Sequence, residues 1–304
     1  MAGKALLEVN GVSRVFKRGG VFSRAALRAV DDVSFVIDDR PQIFSIVGES
    51  GSGKTTLARM VLRLVEPTAG TMVLDGRPLH ADRKKGIDDL AFRRLVQPIF
   101  QNPFEAFSAY IPVANYLRMT ALNLKVAETE AEADALAAEA LEMVGLSVKG
   151  VADKYIRQFS GGELQRLSVA RALIPKPRLI VADEPVSMVD ASLRMSIVNL
   201  FKQITEQQSV SFFYITHDLS TAYYLSNQLS IMNKGRVIES GSPDQILANP
   251  SEAYTRELMA AVPGTTDKWP EIADIDRKWR SAPVAPEDQD QKSAASKAPE
   301  TTTP

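Results

Sequence analysis

Apolar positions along this chain switch repeatedly between two periods. Val33, Phe35 and Ile37 alternate with Asp32, Ser34, Val36 and Asp38, close to the period-2 pattern of a half-buried strand. Leu7, Val9, Val12, Val15 and Phe16 carry β character nearer the N-terminus, and Arg18-Gly19-Gly20 reads as a turn between the two runs. Ile43 to Val47 is a short apolar strand running into Gly48, suited to the middle of a parallel sheet covered on both faces. Thr55 to Val65 then places Leu57, Met60, Val61 and Leu64 at helical spacing, with Pro67 as the stop. Thr71 to Leu79 reads as a strand and hairpin around Asp75-Gly76.

The pattern is helical from about Asp88 to Val96 and again from Glu128 to Val144, where Gly145 sits as a C-terminal cap. From Ser160 the periods alternate: helix to Ala172, strand 179–182, helix 192–207, strand 210–215, short strands near 229–239. Alternating strands and helices predict an α/β fold, a parallel sheet with helices on both sides. The Ala-rich helical region interrupts that alternation like an inserted subdomain. Tyr254, Leu258, Met259 and Val262 share one helical face, so about 251–262 should dock as a helix, ended by Pro263-Gly264. Residues 281–304 hold one valine and no other large apolar side chain, which predicts a disordered tail.

Composition narrows the possibilities. The 304 residues carry 36 Lys+Arg against 37 Asp+Glu, so no global basic footprint favours nucleic acid. There is no cysteine, which excludes disulfides, thiolate metal sites and cysteine nucleophiles within the chain. No segment approaches the roughly 20 apolar residues needed to span a bilayer. The N-terminus meets Glu8 too early for a secretory signal, so any membrane role must run through another chain.

Three motifs carry chemistry. Gly48-Glu49-Ser50-Gly51-Ser52-Gly53-Lys54-Thr55 matches G-x-x-x-x-G-K-[ST], follows an apolar strand and opens a helix, as a phosphate loop must. Glycines let backbone N–H groups face phosphate oxygens, and the helix N-terminus adds positive dipole. Lys54 can reach the β- and γ-phosphates, and the Thr55 hydroxyl can ligate Mg²⁺. Leu179-Ile180-Val181-Ala182-Asp183-Glu184 ends an apolar strand in two carboxylates. Asp183 stands where Mg²⁺ needs an acidic partner, and Glu184 where an attacking water needs a base. Phe159-Ser160-Gly161-Gly162-Glu163 has the Ser and Glu of a capping box ahead of Leu164, Leu167, Ala170 and Leu173. It reads either as a well-capped core helix or as a second anion-binding helix terminus.

Together these segments resemble the ATP-binding subunit of an ABC transporter. Ser160-Gly161-Gly162-Glu163 is similar to that family's signature motif, and 48–55 and 179–184 to its Walker A and B. Gln101 falls at the Q-loop glutamine, Asp190 in Ser187-Met188-Val189-Asp190 at the D-loop, and His217 at the switch histidine. Phe16 is placed like the aromatic that stacks on adenine. The resemblance covers residues 5 to about 248 and implies a P-loop NTPase (RecA-like) core. An N-terminal antiparallel β subdomain and a helical subdomain at about 102–158 come with it. It implies ATP as substrate, held by Phe16, Gly48 to Thr56 and, from the facing subunit of a head-to-tail dimer, Ser160 to Glu163. Thr55, Gln101 and Asp183 would serve Mg²⁺, Glu184 and His217 catalysis, and Asp190 the dimer interface.

Gly48 to Lys54, Phe100-Gln101-Asn102-Pro103, Ala182 to Ser187 and Asn249 to Pro263 are similar to the peptide/nickel branch. That branch implies an ATPase domain over 1–250 and a C-terminal extension over 251–280. It implies an importer at the cytoplasmic face of the membrane, with two membrane-spanning permease subunits, an external solute-binding protein and a second, usually different, ATPase subunit. Some members carry oligosaccharides. Glu163 stands where glutamine is usual, and Phe104 to Ile111 departs from the branch's pattern where the chain should face the permeases. The rival reading is a soluble ABC ATPase outside transport. A P-loop kinase has no use for Ser160–Glu163 or His217.

Overall fold

A computed structural model describes residues 4–17, 26–80 and 86–261. The expected turn at Arg18-Gly19-Gly20, together with Val262, Pro263-Gly264 and the tail at 281–304, lies outside the described residues.

Strands β1 (Ala5–Lys17) and β2 (Ala26–Asp38) pair antiparallel. β3 (Ile43–Val47) follows, buried at all five positions, and passes through the phosphate loop into α1 (Lys54–Val61). β4 (Ala69–Leu74) and β5 (Arg77–Pro78) form the expected hairpin. Asp75 and Gly76 both have positive φ, 49° and 74°, as a two-residue turn between twisted strands requires. Then come α2 (Asp89–Leu95), β6 (Val96–Ile99), α3 (Val113–Asn123), α4 (Glu130–Met143), α5 (Val148–Val151) and α6 (Gly161–Leu173). β7 (Leu179–Asp183), α7 (Ala191–Gln208), β8 (Ser211–Thr216) and α8 (Leu219–Leu225) continue the alternation. β9 (Gln228–Asn233), β10 (Arg236–Gly241), α9 (Pro243–Ala248) and α10 (Ala253–Ala260) end the described chain.

Two sheets result: an antiparallel one ordered β2-β1-β4-β5 and a larger one ordered β10-β9-β3-β8-β7-β6. β9, β3, β8, β7 and β6 run parallel, and only β10 is antiparallel to its neighbour. β8 shows why its sequence lacks alternation. Phe212 and Tyr214 pack with α6 and α7 on one face, while Phe213 and Ile215 pack with α1 on the other. Phe35 of β2 stacks on Phe44 of β3 at 4.9 Å and on Phe213 of β8 at 5.3 Å. These rings join the two sheets, and aromatic pairs of this kind add about 0.5–1.5 kcal/mol beyond their buried area.

Two expectations need correction. α1 ends at Val61, well before Pro67, because Arg63 turns left-handed with φ 58°. Leu64 therefore swings out and is 62% exposed instead of joining the helix's buried face. The helical pattern from Asp88 to Val96 stops at Leu95, where the chain becomes β6 without a turn residue between. Pro98 is tolerated there because β6 is an edge strand, paired only with β7. The Gly145 expectation holds, with φ 72° just past α4 and its N–H on the Glu142 carbonyl.

Candidate active site

Parallel pairing aligns the C-terminal ends of β3, β6, β7 and β8 along one edge of the sheet, where ligands of open α/β sheets bind. Gly48, Gln101, Glu184 and His217 each follow directly, or within two residues, from one of these ends.

The phosphate loop is wedged into place by backbone. A Cβ on Gly48 would lie 2.1 Å from the Met232 carbonyl oxygen, and one on Gly53 would lie 2.2 Å from that of Ala29. Gly53 also holds φ 108°, open only to glycine at low cost. Gly51, with φ 82°, faces open space. Lys54 is buried, and its ammonium donates to the Gly48 and Glu49 carbonyls at 2.7 and 2.8 Å. Burial pulls its pKa down, while the charges of Glu184, Asp183 and Glu49 oppose that. A pocket of about 450 Å³ lies on the loop, lined by Ser50, Gly51, Gly53 to Thr56 and Glu184, with Arg28 and Lys234 at its walls.

Thr55 donates its hydroxyl proton to Asp183 at 3.2 Å. Burial pushes the Asp183 carboxyl above its ordinary pKa, the neighbouring Glu184 charge adds to that, and the Thr55 bond works against it. Glu184 sits at φ 47°, left-handed for a residue with a Cβ, a strain of order 1–3 kcal/mol. Its surroundings hold it there: its N–H donates to the Ile215 carbonyl at 2.8 Å, and its carbonyl accepts from the Ser187 hydroxyl at 2.9 Å. The strain turns its carboxylate toward the other loops. Glu184 Oε2 lies 3.1 Å from His217 Nδ1 and accepts from Gln101 Nε2 at 3.3 Å.

Thus Lys54, Thr55, Asp183, Glu184, Gln101 and His217 converge. Ser160, Gly161, Gly162 and Glu163 do not line the loop's pocket among the described residues. They open α6 with a complete capping box: Ser160 N–H donates to Glu163 Oε2 at 2.7 Å and Glu163 N–H to Ser160 Oγ at 3.3 Å. Gly162 packs under Leu193, and a Cβ there would meet Leu193 Cδ1 at 2.9 Å. Asp190 is exposed at the start of α7, and its side chain makes no capping bond. Phe16, near the end of β1, has the Arg14 guanidinium 4.6 Å above its ring. It too is absent from the pocket's walls.

Sequence reasoning missed Tyr254, whose hydroxyl oxygen accepts the Glu49 N–H at 3.0 Å across 205 residues of chain. It also missed the Ala29 and Met232 carbonyls that demand glycine. No local signal marks a contact that distant.

The ABC transporter family pattern matches residues 30–187. An oligopeptide transport ATP-binding protein, OppF, of Bacillus subtilis is 37% identical over 258 residues, covering 85% of this chain and 82% of that protein. OppF of Streptococcus mutans is 35% identical over 260 residues, covering 86% and 82%. A dipeptide transport ATP-binding protein, DppF, of Lactococcus lactis is 33% identical over 262 residues, with the same coverage of 86% and 82%. Among solved structures, cbiO1 of Clostridium perfringens superposes with a TM-score of 0.69 at 23% identity, covering 90% of this chain and 99% of that one. At that identity the likeness speaks for the fold: mixed α/β, a P-loop NTPase cassette. The chain belongs to the ABC transporter family, as one of its ATP-binding, ATP-hydrolysing components.

Proposed function

We propose that this chain energises an importer of peptides or related solutes from the cytoplasmic face of the membrane. It would act through two permease subunits, a second ATPase subunit and an external binding protein. The observation that carries the ATPase chemistry is the contact of Glu184 with both Gln101 and His217 beside the phosphate loop. The cargo class rests on the names of the oligopeptide and dipeptide relatives. Among the described residues no helix is long and apolar enough to cross a membrane, which fits attachment through partners.

Mg²⁺ fits the donors present. Thr55 and Gln101 offer neutral oxygens and Asp183 a half-buried carboxylate, the hard ligands this ion takes. Bound there, the ion would neutralise charge on the β- and γ-phosphates. The chain's own residues do the rest. Loop amides and Lys54 hold the phosphates, Lys54 exchanging loop carbonyls for phosphate oxygens. Glu184 accepts a proton from water as the water oxygen bonds the γ-phosphorus. The bond to the bridging oxygen breaks, leaving ADP and phosphate. His217 and Gln101 orient the Glu184 carboxylate, and Gln101 leads into the surface where Phe104 and Tyr110 are 49% and 86% exposed. We assign that surface to the permeases, and Ser160–Glu163 to the ATP of the facing subunit.

The test pairs two assays: Mg²⁺-dependent ATP hydrolysis by the purified chain, and uptake of labelled short peptides by cells with and without it. Hydrolysis with loss of uptake is expected. Hydrolysis with unchanged peptide uptake, but loss of another solute, would replace the cargo; no hydrolysis in the assembled transporter would remove the reading.

A further inference from the structure

The C-terminal helix reaches back to the phosphate loop. Glu239 of β10 gathers the start of α10: its carboxylate accepts from Ser251 N–H and Oγ at 2.9 Å each, and from Thr255 Oγ1 at 2.6 Å. Burial alone would raise the Glu239 pKa. These bonds outweigh it and hold the carboxyl below its ordinary range. Thr255 is fully buried beneath the helix. So anchored, α10 lays Tyr254, Leu258 and Met259 against a core that includes Val47, the residue just before the loop.

From that position the Tyr254 hydroxyl accepts the Glu49 N–H at 3.0 Å. The other backbone group of Glu49 is also taken: its carbonyl accepts from Ser52 N–H at 3.2 Å and from the Lys54 ammonium at 2.8 Å. Gly48 is pressed against the Met232 carbonyl on its far side. The 48–49 segment is therefore clamped between β9 and α10. A loop held in this way loses less conformational freedom when phosphate binds.

We propose that Tyr254 is a positioning residue of the nucleotide site, setting ATP affinity by fixing the phosphate loop from the C-terminal helix. This rests on the ATPase reading above and adds a residue outside the nucleotide-binding motifs, from the C-terminal segment that the sequence marks only as a docking helix. Burial, with the nearby Glu49 and Glu257 charges, keeps the phenol pKa above its ordinary value although the Glu49 N–H bond opposes this, so the group stays neutral.

Tyr254→Phe removes the acceptor and keeps the ring. The measurement combines ATP affinity with amide hydrogen exchange of the full chain. The expected result is a Kd for ATP raised about 2–10-fold, the scale of one net hydrogen bond, with KM rising and kcat nearly unchanged. Melting should fall by no more than that single hydrogen bond, and exchange should quicken over 48–52 while 255–260 stays protected. An unchanged Kd would overturn the proposal. So would faster exchange throughout α10, because the effect would then be detachment of the helix. If the unmodified chain bound no ATP, the ATPase reading would fall, and exchange over 48–52 would still decide whether Tyr254 fixes the loop.

Discussion

The N-terminal ends of α1 and α6 are built on different terms. At α1, the glycines of the phosphate loop fit against the Ala29 and Met232 carbonyls, Lys54 is buried, and Tyr254 braces the loop from outside. At α6, Ser160 and Gly161 are exposed, and Glu163 already occupies the helix N-terminus with its own carboxylate. Beside it Met188 and Leu193 are 62% and 40% exposed. The first site gathers its phosphate loop, Lys54, Thr55 and Asp183 within one chain. The second is a capped helix end beside exposed apolar side chains, a surface that a second subunit would cover. The difference supports a head-to-tail arrangement, in which each subunit binds one ATP and closes over another.

The largest effect should come from breaking the chemistry of the first site. Glu184→Gln is expected to lower turnover about 10²–10⁴-fold in the assembled transporter and leave ATP binding intact, by steady-state hydrolysis and nucleotide titration. Near-normal turnover would remove Glu184 as the base. Next comes the wedge. Gly48→Ala forces a Cβ onto the Met232 carbonyl and should cost about 1–3 kcal/mol in denaturant titration, with ATP affinity lost alongside. Met188→Ser touches only the exposed side of the comparison. It should change the stability of the isolated chain by less than about 0.5 kcal/mol and weaken ATP-driven association, read by sedimentation. Smallest is the acid response of α10. The Glu239 pKa is depressed in the folded chain, so its contribution is present above the ordinary carboxylate range. It is lost as pH falls through the lower native value. Exchange over 253–260 should quicken in that window, and Glu239→Gln should abolish the dependence.

What was legible in the sequence was local. The strand, phosphate loop and helix of 43–61 announce themselves because one short segment carries periodicity, turn glycines and chemistry together. The Ser160–Glu163 capping box is equally local and forms as expected. Leu64 misled because periodicity cannot sense the left-handed turn at Arg63 that ends α1. β6 was hidden because four residues at a sheet edge, one of them proline, carry little pattern beside α2. α3, unforeseen, begins at Val113 after Pro112 with no side-chain cap to mark it. Tyr254 read as a packing residue on a C-terminal helix. Its bond to Glu49 exists only because β10 and α10 fold back to the loop.

The central claim is that one helix end serves this chain's own nucleotide and the other serves a facing subunit's. Equilibrium ATP affinity of the isolated chain, compared for Lys54→Ala and Ser160→Ala, tests it most directly. Lys54→Ala should bind about 10–100-fold more weakly, the scale of a lost charge-assisted hydrogen bond or two. Ser160→Ala should bind as the unmodified chain does while still abolishing hydrolysis in the assembled transporter. Equal losses of affinity in the two variants, or no loss in either, would contradict the account.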